Sequence, residues 1–181
     1  MSQALEHELT HAFRVLTNPI LEHPDKLTVT LTPSAQGCEL AARPYSYTDK
    51  GKLIGGQAET HRAMQIVLSA VAYRRGKHCR YIILPSQSDK KDDLPPFYEA
   101  ENWKPDAALG ILREACALCF PPVFSVQAVD EADSKSTQLV IAANVLDNDN
   151  TALLVWALNR MMHAAGNALG RRLFVTLKIT R

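Results

Sequence analysis

Hydrophobic positions recur along this chain with two different periods, and the switches between them outline the elements. Leu5, Leu9, Ala12, Phe13 and Leu16 follow the i, i+3/i+4, i+7 spacing of a helix over residues 2–17. Pro19 and Pro24 limit its extension, because proline lacks the amide a helix needs. Residues 26–32 then alternate, with Leu27, Val29 and Leu31 set between polar neighbours, which is the period of a half-buried strand. Pro33-Ser34 and Gly37 supply a turn, and residues 38–45 return as the second strand of a hairpin. Residues 47–52 are polar and turn-prone, and Leu53-Ile54 is a short apolar element ended by Gly55-Gly56. Helical spacing resumes over 59–75, where Ala63, Ile66, Val67, Ala70 and Val71 line one face and Met64 and Leu68 broaden it. Gly76 stops that helix, and residues 79–84 (CRYIIL) read as a strand.

The second half repeats this order. Leu109, Leu112, Cys116, Leu118 and Cys119 give a helix over 106–120, and residues 123–129 and 137–146 give two strands around a turn at 130–135. Asp147-Asn148-Asp149-Asn150 caps a helix over 151–169, and LFVTLKI at 173–179 is the last strand. Both halves thus read helix, strand, strand, helix, strand, the signature of a duplicated unit. The fold class is α+β, with helices covering one face of a three-stranded sheet in each unit. Between the halves, residues 87–105 hold Pro95, Pro96 and Pro105 among many charges and read as a linker. The expected domains are therefore 1–86 and 106–181.

At 181 residues, 46% hydrophobic and 22% charged, the composition is that of an ordinary globular protein. No apolar run approaches the ~20 residues of a bilayer span, and the opening MSQALEHELTHAF lacks the apolar stretch of a signal peptide. Four cysteines are too few for a disulfide framework, and a reducing cytoplasm is expected. Net charge is only +1, but it is unevenly placed. Residues 40–85 carry eight Lys and Arg against Asp49 and Glu59, a local field that favours phosphate ligands. Residues 86–106 have an acidic excess of three charges.

The basic segment contains the richest chemistry. Gly55-Gly56 separates a short apolar turn from a helix N-terminus, and Lys50, Lys52 and Arg62 surround it. Glycines let a ligand backbone approach closely, and a helix start offers unpaired N–H groups with positive dipole character. A plain helix-start turn explains the same residues without a ligand; a phosphodiester site explains the cations as well.

This stretch, with what precedes it, resembles the small bacterial type II KH-domain proteins that bind RNA. Leu21-Glu22-His23-Pro24-Asp25-Lys26-Leu27-Thr28-Val29 is similar to the end of their first helix and the strand after it. Asp49-x-Gly51-x-x-Ile54-Gly55-x-x-Ala58-x-x-x-x-Ala63-Met64-Gln65 is similar to their GxxG region. The likeness covers residues 1–86 and implies an α-β-β-α-α-β unit whose glycine loop clamps about four nucleotides of single strand. Carried over by position, the loop is Gly55, Gly56, Gln57 and Ala58. Ile54 and residues 38–43 would wall a groove for the bases, and Lys50, Lys52 and Arg62 would add phosphate charge. The implied partner is single-stranded RNA, or single-stranded DNA in its place. Two departures stand out: Ala58 occupies the last glycine position, and neither Gly56 nor Gln57 is basic. They predict weakened affinity or a repurposed site. The second half has no such loop, and the carboxylates of Asp147 and Asp149 would repel phosphate. It is expected to be a degenerate KH-like unit serving packing, dimerisation or contact with a protein partner. No enzyme activity, cofactor or metal is expected. The alternative is a protein-interaction scaffold on a KH-like fold that has lost RNA affinity.

Two other patterns have simpler readings. His7-Glu8-Leu9-Thr10-His11 has zinc-protease spacing but no third ligand, and it falls on the polar face of the first helix. Cys116 and Cys119 form a lone CxxC inside an apolar helix and read as core. Cys38 and Cys79 are also expected to be buried, and Trp156 is expected to pack in the core rather than stack on a base.

Overall fold

A computed structural model of the chain describes residues 3–88, 105–119, 124–130, 136–143, 148–168 and 172–179. Helix α1 (Gln3–Thr17) buries Leu5, Leu9, Ala12, Phe13 and Leu16, the stripe its spacing requires. A 3-10 turn at Pro24–Lys26 leads into strands β1 (Thr28–Ser34) and β2 (Gly37–Arg43). Helices α2 (Tyr47–Ile54) and α3 (Glu59–Tyr73) follow, then strand β3 (His78–Ile83). Helix α4 (Pro105–Cys119), strands β4 (Phe124–Asp130) and β5 (Ser136–Ala143), helix α5 (Asn148–Ala168) and strand β6 (Arg172–Ile179) complete the order. The fold is mixed α+β.

The two sheets share one topology. In the first, β1 runs antiparallel to β2, with Leu31 opposite Leu40, and β2 runs parallel to β3, with Leu40 beside Tyr81. In the second, Ala128 opposes Leu139 and Leu139 lies beside Val175, in the same senses. The parallel pair in each half needs a long crossover, which α2–α3 and α5 provide. Buried positions recur as well. Helix α3 hides Ala63, Met64, Val67, Leu68 and Val71, and α5 hides Ala157, Leu158, Met161, Met162 and Ala165 at the same spacings. A side-chain amide in each helix satisfies the outer edge of the strand after it. Gln65 accepts from Tyr81 N at 2.7 Å and donates to Cys79 O at 2.7 Å; Asn159 accepts from Val175 N at 2.8 Å. This blunts edges that would otherwise invite foreign strands.

The helices of the two halves pack on one another, α3 on α5 and α1 on α4, so one buried apolar cluster runs through both. The sheets take the outside, with Thr28, Thr30, Arg43 and Arg80 exposed on one and Phe174 and Thr176 on the other. Arg74 fixes the join by donating to the carbonyls of Ala117 (3.0 Å) and Leu118 (2.7 Å) at the end of α4. Arg160 reaches back to Glu59 at 3.3 Å.

One expected turn proves to be a helix. The stretch 47–52, together with Leu53-Ile54, forms α2, because Ser46 caps it and only Asp49 and Leu53 point inward. Trp156 is half-buried against the core, under the Arg160 guanidinium at 5.7 Å. Most of the expected linker, residues 89–104 with Trp103, lies outside the described residues, as does most of the turn at 130–135. Among the described residues, no helix is long and apolar enough to cross a membrane.

Candidate nucleic-acid interface

Helix α2 has only eight residues, below the length at which propensity alone sustains a helix, so its neighbours must hold it. The Ser46 hydroxyl accepts from Asp49 N at 3.1 Å, closing the first turn. Asp49 is 1% exposed, and its carboxylate faces the segment that follows α1. Glu22 N donates to its Oδ1 at 2.8 Å, and His23 Nδ1 lies 3.2 Å from its Oδ2. Tyr45 braces the same corner, with the His23 ring 4.9 Å away and Lys26 Nζ 4.2 Å from the ring centre. The Asp49 of the glycine motif is thus a structural pin rather than a surface acid.

At the far end of α2 the chain makes the glycine turn. Gly55 N donates to Gly51 O at 2.8 Å, and Gly55 takes φ 72° and ψ 170°. A Cβ there would lie 2.2 Å from Thr60 Oγ1 and 2.8 Å from Thr60 N, so only glycine fits. Gln57 (φ 51°, ψ 28°) and Ala58 (φ 60°, ψ 25°) are both left-handed, which is rare for residues with a side chain. Ala58 N bonds Gly55 O at 3.2 Å, and Glu59 N bonds Gly56 O. The N–H groups of Gly56 and Gln57 have no protein acceptor among the described residues. Both residues are exposed. Two unused amides therefore stand at the start of a 15-residue helix, an arrangement that favours an anion.

The three expected cations do not behave alike. Arg62 is exposed and Lys50 half-buried, and neither has an acidic partner among the described residues. Lys52 Nζ instead lies 2.9 Å from Glu22 Oε1, so its charge is already answered. Two carboxylates are similarly occupied, Glu22 by Lys52 and Glu59 by Arg160. Ile54, 36% exposed, borders the turn as expected.

The walls expected from residues 38–43 are not where a groove needs them. Strand β2 is central, and Cys38, Leu40 and Ala42 sit fully in the core. Its other residues face the outer side of the sheet, where Glu39 pairs with Arg80 at 3.4 Å. Arg43 there lines a shallow depression of about 370 Å³ with Thr28, Thr30, Leu84 and Gln87. Tyr47 (54% exposed), Gly51 and Ile54 share the outward face of α2. Their i, i+4, i+7 spacing is the signal in the sequence that identifies them.

Among the described residues the second half shows no counterpart to this turn; in sequence, four positions separate the end of β5 at Ala143 from the start of α5 at Asn148, whereas 44–58 lie between β2 and α3. Helix α5 instead starts at Asn148, inside the acidic 147–150 segment, and Asp147 lies outside the described residues.

The remaining patterns resolve as structure. Glu8 is held by Arg75 through Nε at 3.1 Å and a second, close contact from Nη2, which keeps its carboxyl below the usual range. A carboxylate so engaged is a poor general base. The His7 and His11 rings stack at 5.9 Å, and His11 Nε2 lies 4.0 Å from Glu114. Among the described residues, no group of three His, Cys, Asp or Glu is arranged to hold a metal. All four cysteines are buried and free. Burial pushes the Cys79 and Cys119 thiols up to about 12, leaving them protonated and inert. No protein-family model matches the chain and no curated protein matches it, so the reading of this surface rests on its own geometry and chemistry.

Proposed function

We propose that this chain is a non-enzymatic, cytoplasmic protein that binds single-stranded RNA through the turn at Gly55–Ala58, on a type II KH-like unit. The observation that carries the reading is the turn itself: exposed, left-handed at two non-glycine residues, with the Gly56 and Gln57 amides unused. Left-handed backbone at residues with a Cβ costs about 1–2 kcal/mol each, and such strain concentrates at functional sites. Lys50 and Arg62 supply the charge, and the paired state of Glu22 and Glu59 removes the repulsion phosphate would meet. The element order of the first half, α-β-β-α-α-β, supports the KH likeness. The second half, built on the same sheet topology without a glycine turn, packs against the first as a degenerate partner unit. Contact with a protein partner, or with a second copy, falls to that half.

Filter binding of short single-stranded RNAs at several salt concentrations tests this. Binding should weaken as salt rises, with a slope near −0.7 per phosphate contact. The double variant Gly56→Asp/Gln57→Asp should abolish it, since two carboxylates would stand where the free amides are. Salt-independent binding, or an undiminished double variant, would return the fold to the scaffold reading.

A further inference from the structure

An eight-residue helix on a protein surface normally turns its apolar side inward. Helix α2 does this with Leu53, 1% exposed, and with the buried Asp49 pin. Its outward face is nevertheless also apolar. Tyr47 is 54% exposed and Ile54 36% exposed, and between them lies exposed Gly51. Scattered apolar residues on a surface need no explanation. Two large apolar side chains with a bare glycine between them in one row, ending at a turn with two unused amides, do.

Gly51 sharpens the point. Glycine inside a helix is unfavourable because its backbone has more freedom to lose. Elsewhere here glycine is needed: Gly55 has no room for a Cβ and a left-handed backbone. At Gly51 neither reason applies, because a Cβ would meet nothing within 4 Å and φ is ordinary. The fold does not require this glycine. Its effect is to leave bare, flat helix backbone between an aromatic ring and Ile54, with cationic Lys50 alongside.

We infer that Tyr47 is a base-stacking platform of the RNA site, with Gly51 the floor over which the strand passes to the turn. The inference rests on the RNA-binding reading above. Seven residues of helix separate Tyr47 from Ile54 by about 10 Å along the axis, so the two ends engage different nucleotides of one strand. Every base has a π-face, so a platform of this kind selects single strands over duplex without strong base preference. Single-stranded nucleic acid is the occupant that fits, because the row leads to the free amides of Gly56 and Gln57, has Lys50 on the same helix and carries no exposed acid of its own.

The test uses the full chain and fluorescein-labelled eight-nucleotide oligo(U) and oligo(A), with anisotropy read across a salt series. Tyr47→Ala should weaken both by roughly 5- to 100-fold with the salt slope unchanged, because stacking releases no counterions. Tyr47→Phe should bind like the wild type. Gly51→Leu should weaken binding by blocking the floor, and Arg62→Ala should lower the slope by about 0.7. Ultraviolet crosslinking should place an adduct on Tyr47. Wild-type affinity in Tyr47→Ala, beside loss in Gly56→Asp/Gln57→Asp, overturns the platform and leaves the RNA reading intact. Absence of any binding by the wild type overturns both and assigns the exposed row to a protein partner. Tyr47 is exposed, so its variants keep the fold, and unchanged thermal unfolding verifies that.

Discussion

Ala58 stands at φ 60°, where its methyl group crowds the chain and glycine would not. It keeps the left-handed geometry of a glycine loop with the wrong residue, so the backbone is dictated by the turn and not by the side chain. Its neighbours divide by the same physics. Gly55 combines φ 72° with a blocked Cβ, whereas Gly56 has open space. Ala58→Gly should therefore stabilise the protein by about 0.5–1 kcal/mol, the relieved strain less the added freedom of the unfolded chain. Gly55→Ala should cost about 2 kcal/mol or more, and Gly56→Ala should stay within about 0.5 kcal/mol of wild type. Urea unfolding of the three variants measures this order, and a different ranking would mean that the turn is not built as described. On RNA, Ala58→Gly should bind at least as tightly as the parent, since it removes a Cβ from the last position of the loop.

Helix α2 shows what sequence pattern can and cannot deliver at the scale of elements. Helices α1 and α3 were legible because five or more apolar residues repeat at helical spacing in each. The breadth of the α3 stripe, with Met64 and Leu68 added, has a physical reason: that helix packs on its own sheet and also on α5. In α2 the inward set is Asp49 and Leu53, one of them charged, and the apolar row faces solvent. A periodicity search reads that as a polar turn, because the interactions that fix the helix are non-local. Glu22 lies 27 residues from Asp49, and nothing in the spacing announces their bond. The same distance hid the capture of Lys52 by Glu22, 30 residues apart, so one of three expected phosphate contacts is already engaged. The glycine turn was legible because its backbone geometry is local. Residues 38–43 were misplaced as groove walls because sequence gives strand order only by analogy, and β2 is central. Asp49→Ala should then cost about 2–3 kcal/mol, since it strands the Glu22 amide and removes a charged acceptor. Hydrogen exchange at the Glu22 amide and along α2 should accelerate. RNA affinity should fall although no residue of the turn is changed; an affinity equal to wild type would show that α2 does not position the turn.

Across the whole molecule, the buried cluster decides how the chain unfolds. Its members come from both halves, with Phe13, Leu40 and Leu68 from the first and Leu112, Met161 and Leu139 from the second. Separating the halves would bare the α3 and α5 faces together, and Arg74 and Arg160 would lose partners across the join. One cooperative transition follows, because neither helical layer can keep its apolar side covered alone. The buried thiols give a way to probe it, for they are distributed over both halves: Cys38 and Cys79 under the first sheet, Cys116 and Cys119 on α4. Burial raises all four, Cys79 and Cys119 to about 12 from an ordinary value of 9.0. A raised folded value means that the native state holds the proton more tightly than the unfolded chain. The resulting stability is fully present below pH 9 and is lost as pH climbs from 9 toward 12, because the unfolded thiols ionise first. The buried Tyr81 hydroxyl, raised by burial from 10.0, acts in the same direction from pH 10 upward. Urea midpoints measured between pH 7 and pH 10.5 should therefore be level up to about pH 8.5 and then decline. In a Trp103→Phe variant, whose emission reports Trp156 alone, the α-helical circular dichroism and the fluorescence should fall together at every pH. If instead one signal is lost before the other, the halves are separate folding units, and the packing of α3 on α5 does not hold them as one.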